Sequence, residues 1–163
     1  MISIERAVGI LLTAWMIGTA AGSPLAAAQA VNACSVVSVA DIQRTLGTAV
    51  NGEGKPVDIG IRHSCDWKVA NGANLRLAVF TSPKAETLTS EPTSGPRAWE
   101  PLTALGEKAG YRQYTFAPGV VVEEVEVVLA DRAFFVQVTG HADQMLAKNG
   151  MLGLARLVAK RLS

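Results

Sequence analysis

Charged side chains are scarce in this 163-residue sequence, at 18% of the residues, and the formal net charge is only +1. The 15 lysines and arginines are scattered along the chain. Proteins that bind nucleic acid or an anionic membrane surface carry clustered basic side chains, because contacts to phosphates supply much of their affinity. The composition therefore predicts neither a nucleic-acid partner nor an electrostatic membrane partner.

Residues that carry out chemistry are also few, since the sequence holds two histidines (His63 and His141) and two cysteines. No His, Cys, Asp and Glu cluster has metal-ligand spacing. The nucleophile elbow Gly-x-Ser-x-Gly and the dinucleotide fingerprint Gly-x-Gly-x-x-Gly are both missing. The segment 52–55 (Gly-Glu-Gly-Lys) lacks the spacing of a phosphate loop, and Pro56 stands where that loop needs Ser or Thr. We expect no cofactor, no metal and no enzymatic activity.

The first thirty residues have the pattern of an export signal. Arg6 precedes an apolar run of about fifteen residues, whereas spanning a bilayer takes about twenty. Ala28 and Ala30 then fit the small-x-small rule for signal peptidase. We predict a cleaved signal peptide over residues 1–30 and one domain over 31–163. The protein is then periplasmic or extracellular, with no membrane span after cleavage.

Two other interpretations of this segment are open. The apolar run is either kept as an N-terminal anchor helix, or it belongs to a lipoprotein that is acylated on Cys34. The residue before the cysteine, Ala33, fits lipidation, but Asn32 does not, and the apolar run ends too far upstream. We therefore expect no lipid anchor.

The two cysteines predict a single crosslink. Export brings both into an oxidising compartment, where an even number indicates disulfides. The only pairing is Cys34–Cys65, and closing a loop of about thirty residues stabilises a fold by roughly 3–4 kcal/mol. The alternative is a Cys65 thiolate activated by His63. Residues two apart on a strand lie about 6.5–7 Å from each other, which is too far for direct proton transfer.

Hydrophobic patterning predicts a single α+β domain. Ser38 and Gly47 bound a short helix over 39–46, Asn71-Gly72 indicates a hairpin, and Ser82 with a following proline indicates a helix over 83–88. The sheet is antiparallel with about five or six strands, and a C-terminal helix and the short N-terminal helix pack on it. The predicted strands are 57–61, 63–69, 75–81, 111–116, 120–129 and 133–139, and the last helix is 143–162.

Two places are candidate binding or catalytic sites. Arg97 and Trp99 lie in the proline-rich loop 90–101, where an aromatic side chain either binds a partner or folds back onto the domain. Glu124 and Glu126 share one strand face about 7 Å apart. They form either a general acid/base carboxylate pair or an acidic, solvated sheet face.

The order of these features resembles the DUF3558-type small exported proteins and lipoproteins. The residues that carry the resemblance are Cys34, Ile42, Leu46-Gly47, Cys65-Asp66-Trp67, the segment 105–109 (Leu-Gly-Glu-Lys-Ala) and Phe134-Phe135. The resemblance implies a fold similar to Mog1/PsbP, an antiparallel sheet with helices packed on it, and a disulfide between the matched cysteines. It implies no established activity and no catalytic residues.

Three functions follow as hypotheses. The first is a non-catalytic binding module of the cell envelope, with an envelope protein or a small apolar ligand as its partner. The second is an inhibitor or immunity-type protein that blocks a secreted hydrolase in the periplasm. The third is a hydrolase that uses Glu124 or Glu126.

Overall fold

The computed structural model describes residues 31–82 and 98–163. The predicted signal peptide 1–30, the predicted helix 83–88 and the candidate residue Arg97 lie outside these ranges. None of the helices within these ranges is long and apolar enough to cross a membrane.

Two short helices open the domain: α1 (Ala33–Val36) and α2 (Val39–Leu46). The Ser38 hydroxyl accepts a hydrogen bond from the Asp41 backbone N–H, and the Asp41 carboxylate accepts one from the Ser38 backbone N–H. This reciprocal pair satisfies the free donors at the start of a helix. Gly47 ends α2 with a left-handed φ of 67°. The predicted helix 39–46 is confirmed with both of its ends.

The strands form one antiparallel sheet, so the predicted α+β class is confirmed. Seven strands occur in the described ranges, in the order β1-β2-β3-β7-β6-β5-β4, which is more than the five or six predicted. Their bounds are β1 (Val50–Ile59), β2 (Arg62–Val69), β3 (Asn74–Phe80), β4 (Glu100–Pro101), β5 (Lys108–Ala117), β6 (Val120–Val128) and β7 (Ala133–Gly140). The additional strand, β4, has two residues, too few to show an alternating pattern.

The edge strand β1 is longer than the prediction of 57–61. It begins at Val50, and its pairing with β2 shifts between Asn51 and Lys55. Seven of its ten residues are exposed, and its first half, residues 50–54, has no hydrophobic alternation. A strand with only a short buried portion gives a weak sequence signal.

The last helix, α3 (Lys148–Leu162), begins later than the predicted residue 143. A short 3₁₀ turn (Ala142–Gln144) precedes it, and Met145 is extended. The Gln144 amide donates to the Asn71 carbonyl and Asn71 donates back to the Gln144 carbonyl, at 2.9 and 2.8 Å. These two bonds fix the backbone of Gln144 against the β2–β3 turn. The helix therefore begins after this contact, at Lys148.

The core lies between the helices and one face of the sheet. Residues that alternate along β2, β3, β6 and β7 form one buried cluster with the helices, in which α3 contacts β6 and β7 and α1 contacts β2 and β3. The buried stripe of α3 contains Met151, Leu154, Ala155 and Val158, as the helical periodicity predicts. We call the sheet face that points to the helices the core face and the opposite one the second face.

The predicted disulfide is confirmed, since Cys34 and Cys65 are bonded with their Cα atoms 5.0 Å apart. It ties α1 to β2, beside the buried ring of Trp67. Gly54 of β1 covers both groups. A Cβ atom at Gly54 would lie 2.6 Å from the Trp67 ring and closer still to the Cys65 sulfur. Because glycine has no side chain, β1 can pack directly on the disulfide and the Trp67 indole without a steric clash.

Candidate functional site

A row of polar side chains crosses the second face of the sheet. Residues directly opposite each other on neighbouring strands share a face. The strand pairing aligns six polar residues in this way, one from each of six neighbouring strands. In order across the sheet, these are Lys55, Asp66, Arg76, Gln137, Glu124 and Arg112. We call them the polar row. Its charges alternate in sign, with the uncharged Gln137 between the two ion pairs described next.

One end of the polar row is a buried ion pair. Nε and Nη2 of Arg112 donate to Oε2 of Glu124 at 3.1 and 2.9 Å. The two side chains are only 8% and 6% exposed. The guanidinium carbon lies 4.0 Å from the centroid of the Trp99 ring and 5.0 Å from that of Tyr114. Cation–π contacts of this kind add to the ion pair and hold the guanidinium in place.

This arrangement changes the interpretation of three candidate residues. Trp99 is only 9% exposed, so of the two interpretations of its loop, folding back onto the domain is the one observed. Glu124 and Glu126 are 4% and 1% exposed, so the acidic, solvated face is wrong. Glu124 can be buried as a carboxylate because Arg112 of the neighbouring strand neutralises it. Glu124 is already ion-paired with Arg112, so the structure does not support a general acid/base role for the Glu124 and Glu126 pair.

The other ion pair of the polar row is accessible. Nε and Nη2 of Arg76 donate to the two carboxylate oxygens of Asp66, each at 2.7 Å. Their side chains are 35% and 31% exposed. The hydrogen bonds that Arg76 donates to Asp66 raise the pKa of the Arg76 guanidinium. A bidentate fork of this kind has a fixed geometry as well as a favourable energy.

A cleft opens beside this pair. Its volume is about 280 Å³, and it is lined by Asp66, Asn74, Leu75, Arg76, Gln137 and Thr139. Gln137 and Thr139 come from β7, and the others come from β2 and β3. The cleft therefore lies over the middle of the sheet, next to the buried end of the polar row, and five of its six lining residues are polar.

The cleft residues were not among the sequence-based candidates. In β3, Arg76 alternates with buried leucines, which places it on the opposite face from Leu75 and Leu77. Finding its partners also needs the register of β3 against both β2 and β7. The second of these pairings joins distant parts of the chain, and single-sequence patterning does not reveal it.

A second polar cluster lies at the start of α3. The Tyr111 hydroxyl donates to Oε1 of Glu123 at 2.8 Å, and Lys148 Nζ lies 4.5 Å from the Tyr111 ring centroid. Lys148 also donates to Glu100 at 2.6 Å. Burial raises the pKa of Glu123, although the Tyr111 hydroxyl and the Leu146 backbone N–H act against it. Burial and Glu123 likewise raise the pKa of Tyr111.

The two histidines take separate places. His63 Nδ1 lies 3.1 Å from Oδ1 of the exposed Asp58. The His141 ring lies near Gly119 at the β5–β6 turn. Within residues 31–82 and 98–163, no group of three or more His, Cys, Asp and Glu side chains could hold a metal ion.

Comparison with known proteins identified no relative. No family model matches the chain, and neither a curated protein nor a solved structure matches it.

Proposed function

We propose that this protein is an exported binding module without catalytic activity, and that it binds a small polar ligand in the cleft beside Arg76. The observation that carries the proposal is the accessible Asp66–Arg76 pair, which is held in a fixed geometry at the edge of a concave site. Binding sites are concave and place a small number of polar groups to orient a ligand.

Preorganisation supports the site. Its polar side chains stand on three paired strands of the sheet, so their backbone positions cannot drift independently. Arg76 is further restrained by its two bonds to Asp66. Groups that are already ordered lose less conformational entropy when a ligand binds, which leaves more of the contact energy as affinity.

The lining chemistry modifies the expected ligand. The sequence suggested a small apolar ligand or an envelope protein. Only one of the six cleft residues, Leu75, is apolar, and its side chain is 1% exposed within the core on the opposite face. A polar ligand fits this lining better than an apolar one.

Native mass spectrometry of the protein with a low-molecular-weight envelope extract tests this function. Gln137→Leu with Thr139→Val removes hydrogen-bonding groups and keeps nearly the same side-chain volume. We expect a mass adduct on the wild-type protein that the double variant loses.

The matched control is Arg132→Ala. Arg132 forms an ion pair with Asp131 at the β6–β7 turn, outside the cleft. This variant should keep the adduct. An adduct that persists in the cleft double variant, or the absence of any adduct on the wild type, would overturn the proposal.

The relationship to the DUF3558-type proteins and the export signal stay predictions. A disulfide is compatible with export, because oxidising compartments are where disulfides persist. The N-terminal residue and intact mass of the protein recovered from the periplasm or medium of an expressing bacterium test cleavage before Val31. Recovery of uncleaved chain from the cytoplasm would refute the export assignment.

A further inference from the structure

Resting on the proposed function, we infer that the cleft binds an uncharged ligand with several hydroxyl groups, of the size of one saccharide ring. Three properties of the cleft support this ligand class: its balanced charge, its hydrogen-bonding groups and its dimensions.

The charge of the cleft is already balanced. Asp66 and Arg76 neutralise each other through two 2.7 Å bonds. A carboxylate or phosphate bound to the remaining N–H groups of Arg76 would lie close to the negative charge of Asp66, and an ammonium bound to Asp66 would lie close to the positive charge of Arg76. An uncharged ligand binds the outer atoms of the pair and leaves both bonds in place.

The free groups of the cleft are a mixture of donors and acceptors. A guanidinium has five N–H donors, and Arg76 gives two of them to Asp66. Its remaining N–H groups can therefore bind a ligand. The Gln137 amide supplies both a donor and an acceptor, and the Thr139 hydroxyl does the same. A ligand hydroxyl also donates one hydrogen bond and accepts others, so adjacent hydroxyls match this lining.

Strand pairing sets the spacing of these groups. Arg76 is directly opposite Gln137, and Asn74 is directly opposite Thr139. Opposite Cβ atoms lie about 4.5–5.5 Å apart, and residues two apart along a strand lie about 6.5–7 Å apart. The four side chains therefore form a patch of one-ring size. The cleft volume of about 280 Å³ lies just below the usual range for ligand sites, about 300–1,000 Å³, so the ligand must be small.

Amide chemical shifts, measured by NMR on the protein expressed from the full chain with its disulfide intact, test the inference. The uncharged probes are the methyl glycosides of glucose, mannose and galactose. Sodium acetate is the anionic probe, methylammonium the cationic probe and cyclohexanol the single-hydroxyl probe. We expect at least one glycoside to cause saturable shifts at residues 74–76 and 137–139, with little change from the other three probes.

The double variant Gln137→Leu with Thr139→Val should weaken glycoside binding by about tenfold, because it removes the hydrogen-bonding groups of two cleft side chains. Arg132→Ala should bind like the wild type. Saturable cleft shifts from acetate or methylammonium but not from glycosides would refute the uncharged ligand and leave the binding function standing. No cleft shift from any glycoside would also refute it. The proposed function fails by a different result: a natural adduct that the double variant still binds.

Discussion

Nη1 of Arg161 donates a 2.7 Å hydrogen bond to Oδ2 of Asp41, and so joins the last turn of α3 to the first turn of α2. The same nitrogen donates to the Val36 carbonyl at 2.7 Å. Asp41 also caps its own helix through Ser38. One carboxylate therefore orders the start of α2 and connects the N-terminal and C-terminal helices.

Asp41→Asn is expected to destabilise the protein by about 1–2 kcal/mol, because it removes a charge-assisted hydrogen bond and weakens the cap. The bond from Arg161 first, and then those from Ser38, lower the pKa of Asp41. The stability that this carboxylate supplies is thus present above its ordinary pKa and is lost as the pH falls. Urea unfolding from neutral to acidic pH should show the difference from wild type shrinking with acid. Arg44→Ala is the comparison: Arg44 also pairs with Asp41, at 2.6 Å, but its side chain is 70% exposed, and exposed ion pairs contribute about 0–1 kcal/mol. A pH-independent difference would contradict the assignment.

Glu123→Gln is expected to gain stability relative to the wild type as the pH rises. Burial raises the pKa of this carboxyl, so ionisation disfavours the folded state. Its contribution is fully present below the ordinary glutamate pKa and is lost as the pH rises through the folded value. Tyr111, Lys148 and Glu100 are the ionisable groups around it.

Thermal unfolding of both proteins between acidic and neutral pH measures this difference. Gln keeps the oxygen that accepts the Tyr111 bond, so the variant should match the wild type at acidic pH. Tyr111→Phe is the comparison that removes the hydrogen bond and keeps the ring. A Glu123→Gln protein that falls further below the wild type at neutral pH would show that the ionised carboxylate is stabilising.

Gly54→Ala is expected to cost about 1–3 kcal/mol, the usual cost of forcing an extra methyl group into a packed region. The added Cβ would lie 2.6 Å from the Trp67 ring, so β1 or the indole must move. Denaturant unfolding measures the loss, and Trp67 fluorescence reports the displacement. Glu53→Ala, at the exposed neighbouring residue, should change stability by less than about 0.5 kcal/mol. Equal stability of both variants would mean that the Gly54 space is not needed.

Arg112→Met is expected to cost about 3–5 kcal/mol, because it leaves a buried carboxylate without this guanidinium. The double variant Arg112→Met with Glu124→Leu should recover a large part of the loss, since replacing a buried pair by apolar side chains is often neutral. Chemical denaturation of the wild type, both single variants and the double variant gives the coupling energy. Additive effects would show that the two side chains do not act as a pair.

Local signals in the sequence predicted the local structure well. The Ser38 and Gly47 caps define α2, and Asn71-Gly72 marks the β2–β3 hairpin, where Gly72 has a left-handed φ of 95°. The disulfide follows from the cysteine count. Each of these features depends on a few neighbouring residues, so no knowledge of the tertiary structure is needed to recognise it.

The candidate site could not be predicted in the same way, because it depends on strand register. Arg112 meets Glu124 through the β5–β6 pairing, which contains an irregularity between Thr115 and Ala117. One residue of slip there would place the guanidinium on the core face. The sequence pattern of β6 therefore indicates only that Glu124 and Glu126 share a face. It does not show that Arg112 of the neighbouring strand pairs with Glu124 and allows its burial.

The strand order has a consequence for how the chain folds. Among residues 31–82 and 98–163, the sheet consists of two meanders, β1 to β3 and β4 to β7, whose strands pair with each other only at β3 and β7. Within each meander, sequential strands from β1 to β3 and from β4 to β7 form short-range hairpins, which close quickly. The joining pair aligns Phe80 with Ala133, and such distant contacts must form against a larger loop-closure entropy. The Cys34–Cys65 bond joins α1 to β2, both on the β1–β3 side of this pairing, so oxidation restrains one half of the sheet and does not shorten the loop between β3 and β7.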